Sequence, residues 1–182
     1  AFVIVPALLT SASRARELVR SLEVMYAANR SENLYFALLG DYKDGRTEKA
    51  KQDEEIAAAA LAEVERLNGI YGPRFFYFNR KRSYDAASEK YLGWERKRGA
   101  ILEFVRLLHG MKTTYTVRSS EELPQVHYVL TLDSDTKLRK STALQLIGAM
   151  LHPLNRPVVD EERGIVTDGY ALLQPRVDVD VD

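Results

Sequence analysis

Cysteine is absent from the 182 residues, which excludes disulfides and thiolate metal sites and suits a reducing compartment. Net charge is absent as well: 26 basic residues balance 26 acidic ones, so no bulk attraction favours a nucleic acid or a membrane surface. No apolar run comes near the roughly 20 residues that a membrane-spanning helix requires. Internal repeats and low-complexity tracts are missing too. The N-terminal "AFVIVPALLTS" carries neither a basic region nor an initiating Met, so it reads as the cut end of an excised domain rather than a signal peptide. "QPRVDVDVD" stops without a cap or turn, and the expectation is a fragment cut short at its C-terminus. What is present, 46% hydrophobic and 29% charged residues, is a globular composition of the size of one domain, taken as residues 1–182.

Apolar periodicity divides the chain into alternating strands and helices. "FVIVPALL" reads as a strand that ends or bends at Pro6. "SASRARELVRSLEVMYAAN" places Leu18, Leu22 and Met25 at helical spacing, with Ser11 or Ser13 to cap it and Asn29 to end it. "LYFALLGD" is a second strand. "TEKAKQDEEIAAAALAEVERLNG" is a strong helix former that Gly69 would close. "RFFYFNR" is a third strand whose aromatics read as core. A long helical stretch lies in "SEKYLGWERKRGAILEFVRLLHG", starting near Trp94, and residues 111–124 are a polar connector with room for a hairpin. "HYVLTLD" is the fourth strand, with His127 as a core or interface residue. "STALQLIGAML" is a helix, "HPLNRP" with His152 a loop, and "GIVTDGYALLQPRV" one strand or two. This order predicts an α/β fold with a mainly parallel sheet and helices on both faces. In such sheets ligands bind beyond the carboxyl ends of the strands, where Asp41, Asp44, Asp133 and Asp135 all lie.

"VHYVLTLDSDTKL" closes an apolar, β-branched run on two carboxylates one residue apart. If the strand conformation persists, Asp133 and Asp135 point the same way and repel. A divalent cation, a basic partner or open water must compensate them. Hard cations such as Mg²⁺ and Mn²⁺ take one or two carboxylates and complete their shell with phosphate oxygens. A diphosphate leaving group needs that neutralisation as its bond breaks. "WERKRGA" sets Arg96, Lys97 and Arg98 beside Gly99, either as a solvated basic face or as a cationic hand on phosphate. "LLGDYKDG" is either a polar turn or an acidic loop that grips a nucleobase or ribose.

"LEVMYAAN", "FALLGDYKD", "GWERKRGAILE", "VLTLDSDTKL", "MLHPLNRP" and "GYALLQPRV", in that order, resemble the glycosyltransferase domain of the cyclic β-1,2-glucan synthases. That family is similar to the processive inverting transferases of the nucleotide-diphospho-sugar, GT-A-like fold. The resemblance implies transfer of glucose from UDP-glucose to a growing β-1,2-glucan, with Mg²⁺ or Mn²⁺ on Asp133 and Asp135. It assigns Asp41, with Asp44 as a neighbouring alternative, to the uridine and Lys97, flanked by Arg96 and Arg98, to the diphosphate. Asp133 would also face the donor, and Gln174 and Arg176 would line the acceptor side. The implied partners are a UDP-sugar donor and a glucan acceptor, with no nucleic acid. A membrane is implied only through other parts of a bacterial parent that holds this domain on the cytoplasmic face of the inner membrane.

The chain departs from the larger group in one respect: it contains no Q-x-x-R-W, and the general base of inverting transfer falls on no matched position. Asp168 in "VTDGY" is a substitute only if it is more than a turn residue. Two alternatives follow: a Mg-dependent phosphatase of haloacid-dehalogenase type, whose motif normally sits on the first strand and has Thr or Val where this chain has Lys137, and a non-catalytic nucleotide-sugar-binding domain.

Overall fold

A computed structural model describes residues 1–175 of the chain. In chain order it comprises β1 (Phe2–Leu9), α1 (Ala12–Ala28), β2 (Tyr35–Tyr42), α2 (Asp53–Tyr71) and β3 (Phe75–Arg80). A hairpin of β4 (Ser83–Asp85) and β5 (Lys90–Leu92) precedes α3 (Arg96–Leu108). Then come β6 (Tyr115–Arg118), β7 (Val129–Thr131), α4 (Thr142–Leu151) and a second hairpin of β8 (Val158–Asp160) and β9 (Ile165–Asp168).

The central sheet has the order β6-β3-β2-β1-β7, with β6 antiparallel and the other four strands parallel. Three strands therefore grow from β1 to one side, and the chain returns to pair β7 on the other. The point where the order reverses lies between β1 and β7, and a crevice at the carboxyl ends is expected there.

Both sheet faces are covered. Val3, Val5, Phe36, Leu38, Phe75 and Tyr77 bury one face with Leu18, Leu22 and Met25 of α1 and Ile56, Ala60 and Val64 of α2. The period of two sends Phe2, Ile4, Leu39, Phe76 and Phe78 to the opposite face, under Phe104 and Leu107 of α3. Ser11 caps α1 by accepting from the Arg14 N–H, and Asn29 ends it, as the sequence predicts.

Pro6 does not end its strand. Even-numbered β1 residues turn their backbone toward β7: Tyr128 accepts from the Phe2 N–H, and the Ile4 carbonyl accepts from Leu132, both at 3.0 Å. The next rung on that side would need the N–H that Pro6 lacks. The proline thus stops β7 while β1 continues beside β2 to Leu9. In consequence β7 ends at Thr131; it begins at Val129, opposite the first residue of β1, so it covers only part of the expected 127–133 and His127 is exposed outside it.

Other boundaries shift for local reasons. Helix α2 passes Gly69 and ends at Gly72, which has a left-handed φ of 80°. It starts at Asp53 rather than Thr47, because the Arg82 side chain binds the Lys43 and Glu48 carbonyls and holds that segment as a loop. Residues before Trp94 form the β4–β5 hairpin, not helix, and part of the polar connector is the edge strand β6. Of "GIVTDGYALLQPRV" only Ile165–Asp168 is strand among the described residues.

Leu22 is fully buried between α1 and the sheet. Leu22→Ala should lower stability by about 2–5 kcal/mol, measured as a drop in the urea unfolding free energy.

Candidate functional site

Leu8, Asp41 and Arg80 stand in register across β1, β2 and β3 at the carboxyl ends of the strands. Alternation continues the Phe76–Phe78 row to Arg80 and the Ala37–Leu39 row to Asp41, so both meet beneath the N-terminal end of α3. The Arg80 guanidinium forks onto Asp41, donating Nε to Oδ1 at 2.8 Å and Nη2 to Oδ2 at 2.6 Å. Its remaining N–H groups reach the Trp94 and Arg96 carbonyls, each at 2.9 Å, and Glu103 Oε1 at 3.1 Å. All five donors are used. Glu103 Oε2 accepts from the Thr114 backbone N–H and hydroxyl, which ties in the chain before β6. Burial lifts the Asp41 carboxyl above its ordinary value, against the opposing pull of the Arg80 hydrogen bonds and charge.

Two glycines let this knot close. A Cβ on Gly93 would stand 2.7 Å from the Asp41 carboxyl carbon, and one on Gly99 would stand 1.9 Å from the Trp94 carbonyl oxygen. A second buried arginine fixes the neighbouring loop. Arg82 forks onto Asp53 at 2.6 and 3.0 Å, lies over the Tyr42 ring at 5.1 Å, and binds the loop carbonyls of Lys43 and Glu48. Burial works to raise the Asp53 pKa, but the Arg82 hydrogen bonds, the Ala50 N–H and the guanidinium charge outweigh it and leave it below 3.8.

Over this foundation lie two adjoining open cavities that share Leu8 and Arg96. The larger, about 410 Å³, is lined by Lys43, Asp44, Arg46, Lys90 and Arg96 among others, four cations to one carboxylate. The smaller, about 230 Å³, is lined by Pro6, Ala7, Leu8, Asp41, Arg96 and Lys97. Asp44 accepts from Arg96 at 2.5 Å through Oδ2, while its Oδ1 is buried with no hydrogen-bond partner. The cationic lining attracts an anion, and the orphaned oxygen asks for a donor.

Asp133 and Asp135 lie past β7 on a turn closed by the Thr136 N–H onto the Asp133 carbonyl at 3.0 Å. The strand does not persist through them, so their relation is set by the turn and not by strand alternation. Both are exposed, and Lys97 forms an ion pair with Asp133 across the crevice. That cation compensates one of the two carboxylates. Among the described residues no group of three or more acidic or His side chains could enclose a metal. Two carboxylates on an open turn match a hard cation that takes its remaining ligands from phosphate and water, not a protein cage.

The crevice therefore gathers Asp41, Asp44, Arg96, Lys97 and Asp133 at one end of the sheet, with Asp135 on the adjoining turn. Arg98 points elsewhere, pairing with Glu95 at 3.0 Å on the exposed side of α3. Gln174 is exposed and lines neither cavity, and Arg176 lies outside the described residues. Asp168 accepts from the Gly169 N–H at 2.8 Å, the behaviour of a turn residue. His152 accepts from the Leu154 N–H at the 3-10 turn Pro153–Asn155. Sequence reasoning overlooked Arg80, Arg82, Asp53 and Glu103. The available signal was two arginines closing an aromatic strand, each at a position where a core residue or a turn residue was due.

Fold and site define an α/β protein with a polar, cation-lined crevice at the carboxyl ends of β1 and β2 in a mainly parallel sheet. No protein-family model matches the chain. Over 180 residues it is 42% identical to the "Cyclic beta-(1,2)-glucan synthase NdvB" of Rhizobium meliloti (strain 1021), a match that spans 96% of this chain and 6% of the relative. The chain belongs to the cyclic β-1,2-glucan synthase family. No helix among the described residues is long and apolar enough to cross a membrane.

Asp53 supplies a pH test. Its folded pKa lies below the ordinary 3.8, so its pairing with Arg82 stabilises fully above that value and is lost as the pH falls through the folded value. Asp41, shifted upward, contributes the opposite slope. Asp53→Asn should therefore lower the urea midpoint at neutral pH and lose less than the wild type on acidification below about pH 4. Equal losses in both proteins would contradict the assignment.

Proposed function

We propose that the chain is the donor-binding part of a GT-A-like glycosyltransferase domain, taking UDP-glucose for the synthesis of a cyclic β-1,2-glucan. The observation that carries this reading is the Lys97–Asp133 pair, which spans the crevice between α3 and the end of β7. It brings an exposed cation of α3 against an exposed carboxylate beyond β7, a contact that a diphosphate with a metal ion would replace.

In this reading the nucleoside occupies the larger cavity, where the unsatisfied Asp44 oxygen accepts from the ligand. Asp41 is the alternative acceptor, although both of its oxygens already receive Arg80. The diphosphate lies by Arg96 and Lys97 in the smaller cavity. Asp133 and Asp135 would hold Mg²⁺ or Mn²⁺, and a cation bound there would supply neutralisation of charge on a departing diphosphate. Lys97 then exchanges Asp133 for a phosphate oxygen, so the positive charge near the carboxylate is replaced rather than lost. The acceptor end of a glucan would approach from the side of Gln174 and Arg176. No described residue is assigned as the general base, since Asp168 serves its own turn. The cytoplasmic, membrane-attached setting of the parent belongs to the same proposal. A phosphatase of haloacid-dehalogenase type is disfavoured, because the two carboxylates follow β7 and not the first strand.

Calorimetric titration with UDP, in Mn²⁺ and again in chelator, tests the reading. Binding should require the metal, and Asp135→Ala should weaken it about tenfold or more. Metal-independent binding that the variant leaves intact would refute it. Lys97→Met should lose affinity for UDP yet bind Mn²⁺ alone more tightly, because the competing ammonium has gone from Asp133. A variant that binds Mn²⁺ no better than the wild type would show that the pair does not compete with metal.

A further inference from the structure

The turn that delivers Arg96 and Lys97 to the crevice is strained. Glu95 and Arg96 are consecutive non-glycine residues with φ of 53° and 48°, in the left-handed region. Such residues persist where surrounding contacts over-determine them, commonly at functional sites. No side-chain cap holds the start of α3. What holds it is Arg80: its Nη1 and Nη2 bind the carbonyls of Trp94 and Arg96, which bracket the strained pair, and its other side is fixed by Asp41 and Glu103. Gly99 closes the arrangement from within the helix, with no room for a Cβ against the Trp94 carbonyl.

Stability alone is a poor reason for this knot. Buried ion pairs of this kind are often matched or exceeded in stability by apolar side chains of similar volume. The turn it enforces is itself unfavourable for the residues that adopt it. What the arrangement gains is direction: Arg96 reaches Asp44, and Lys97 reaches Asp133, from adjacent positions on one turn.

We infer that Arg80 is a positioning residue for the donor: it fixes the left-handed Glu95–Arg96 turn that carries Arg96 and Lys97 to the diphosphate. This rests on the donor-binding reading above. Arg80 contacts no ligand, and its effect passes through the two backbone carbonyls.

The test compares UDP affinity in Mn²⁺ with thermal unfolding for the wild type, Arg80→Lys, Gly99→Ala, Leu22→Ala and the double variant Arg80→Lys/Glu95→Gly. Titrations are run well below each Tm. Arg80→Lys keeps the charge and loses the fork, and should weaken UDP binding about tenfold or more. Gly99→Ala moves the Trp94 carbonyl with every charge in place and should do the same. It carries the test if Arg80→Lys does not fold. Leu22→Ala, a distant core change, should lower Tm but keep UDP affinity within about twofold. Glycine at position 95 suits a left-handed φ. The double variant should therefore regain part of the lost affinity, while the poorly paired Asp41 and Glu103 keep its Tm low. A folded double variant that regains no affinity, or a folded Gly99→Ala that binds like the wild type, would overturn the inference. A wild type that fails to bind UDP would instead bring down the donor reading, and this inference with it.

Discussion

Arg80 donates five hydrogen bonds to four residues: a carboxylate at the end of β2, another in α3, and the two carbonyls before and at the start of that helix. Its side chain has no solvent exposure, so each of those bonds replaces one to water and none can be left unmade cheaply. Removing the guanidinium would strand the Asp41 and Glu103 carboxylates in the interior, a loss of about 3–5 kcal/mol for a broken buried pair. The sheet end, the hairpin before α3 and the strand β6 are thereby referred to one point. Arg82 repeats the device one residue pair along, holding the loop after β2 through Asp53 and two carbonyls.

These two arginines divide the crevice into a rigid floor and a movable rim. The floor is buried, satisfied and continuous with the aromatic row of Phe76 and Phe78. The rim consists of exposed or half-exposed groups, Lys97 with Asp133 and Arg96 with Asp44, whose pairings are weak in water and easily exchanged. A polyanion with a cation could replace both pairs without disturbing anything beneath them. That separation is what a donor site requires, since ligand exchange must not cost the fold.

The sequence made the α/β alternation legible because each strand is apolar and each helix shows its 3.6-residue spacing. Ser11 and Asn29 were readable as caps because their effect is local. Pro6 breaks not its own strand but the pairing with β7, because its missing N–H faces that neighbour, and which neighbour lies on that side is settled only by topology. The same break explains why the strand releases Asp133 and Asp135 onto a turn, where strand alternation no longer relates them. Their place at a strand end was legible, as was the basic cluster, although of its three cations only Arg96 and Lys97 reach the crevice. The Arg80–Asp41 fork joins residues 39 apart in sequence, and nothing in either one's neighbourhood announces the other. Gly93 and Gly99 likewise look like ordinary turn and helix residues until the carboxylate and carbonyl above them are seen.

On the proposed function, the crevice at the carboxyl ends of β1 and β2 takes the diphosphate, and the Asp133–Asp135 turn beside it takes the metal. A crystal structure of the protein with UDP and Mn²⁺, with anomalous scattering recorded at the manganese edge, tests it most directly. The predicted result is a single manganese peak against Asp133 and Asp135, with the diphosphate beside Lys97 and Arg96 and the Arg80 knot unchanged. A nucleotide bound elsewhere, or one bound in the crevice with manganese away from both carboxylates, would rule this arrangement out.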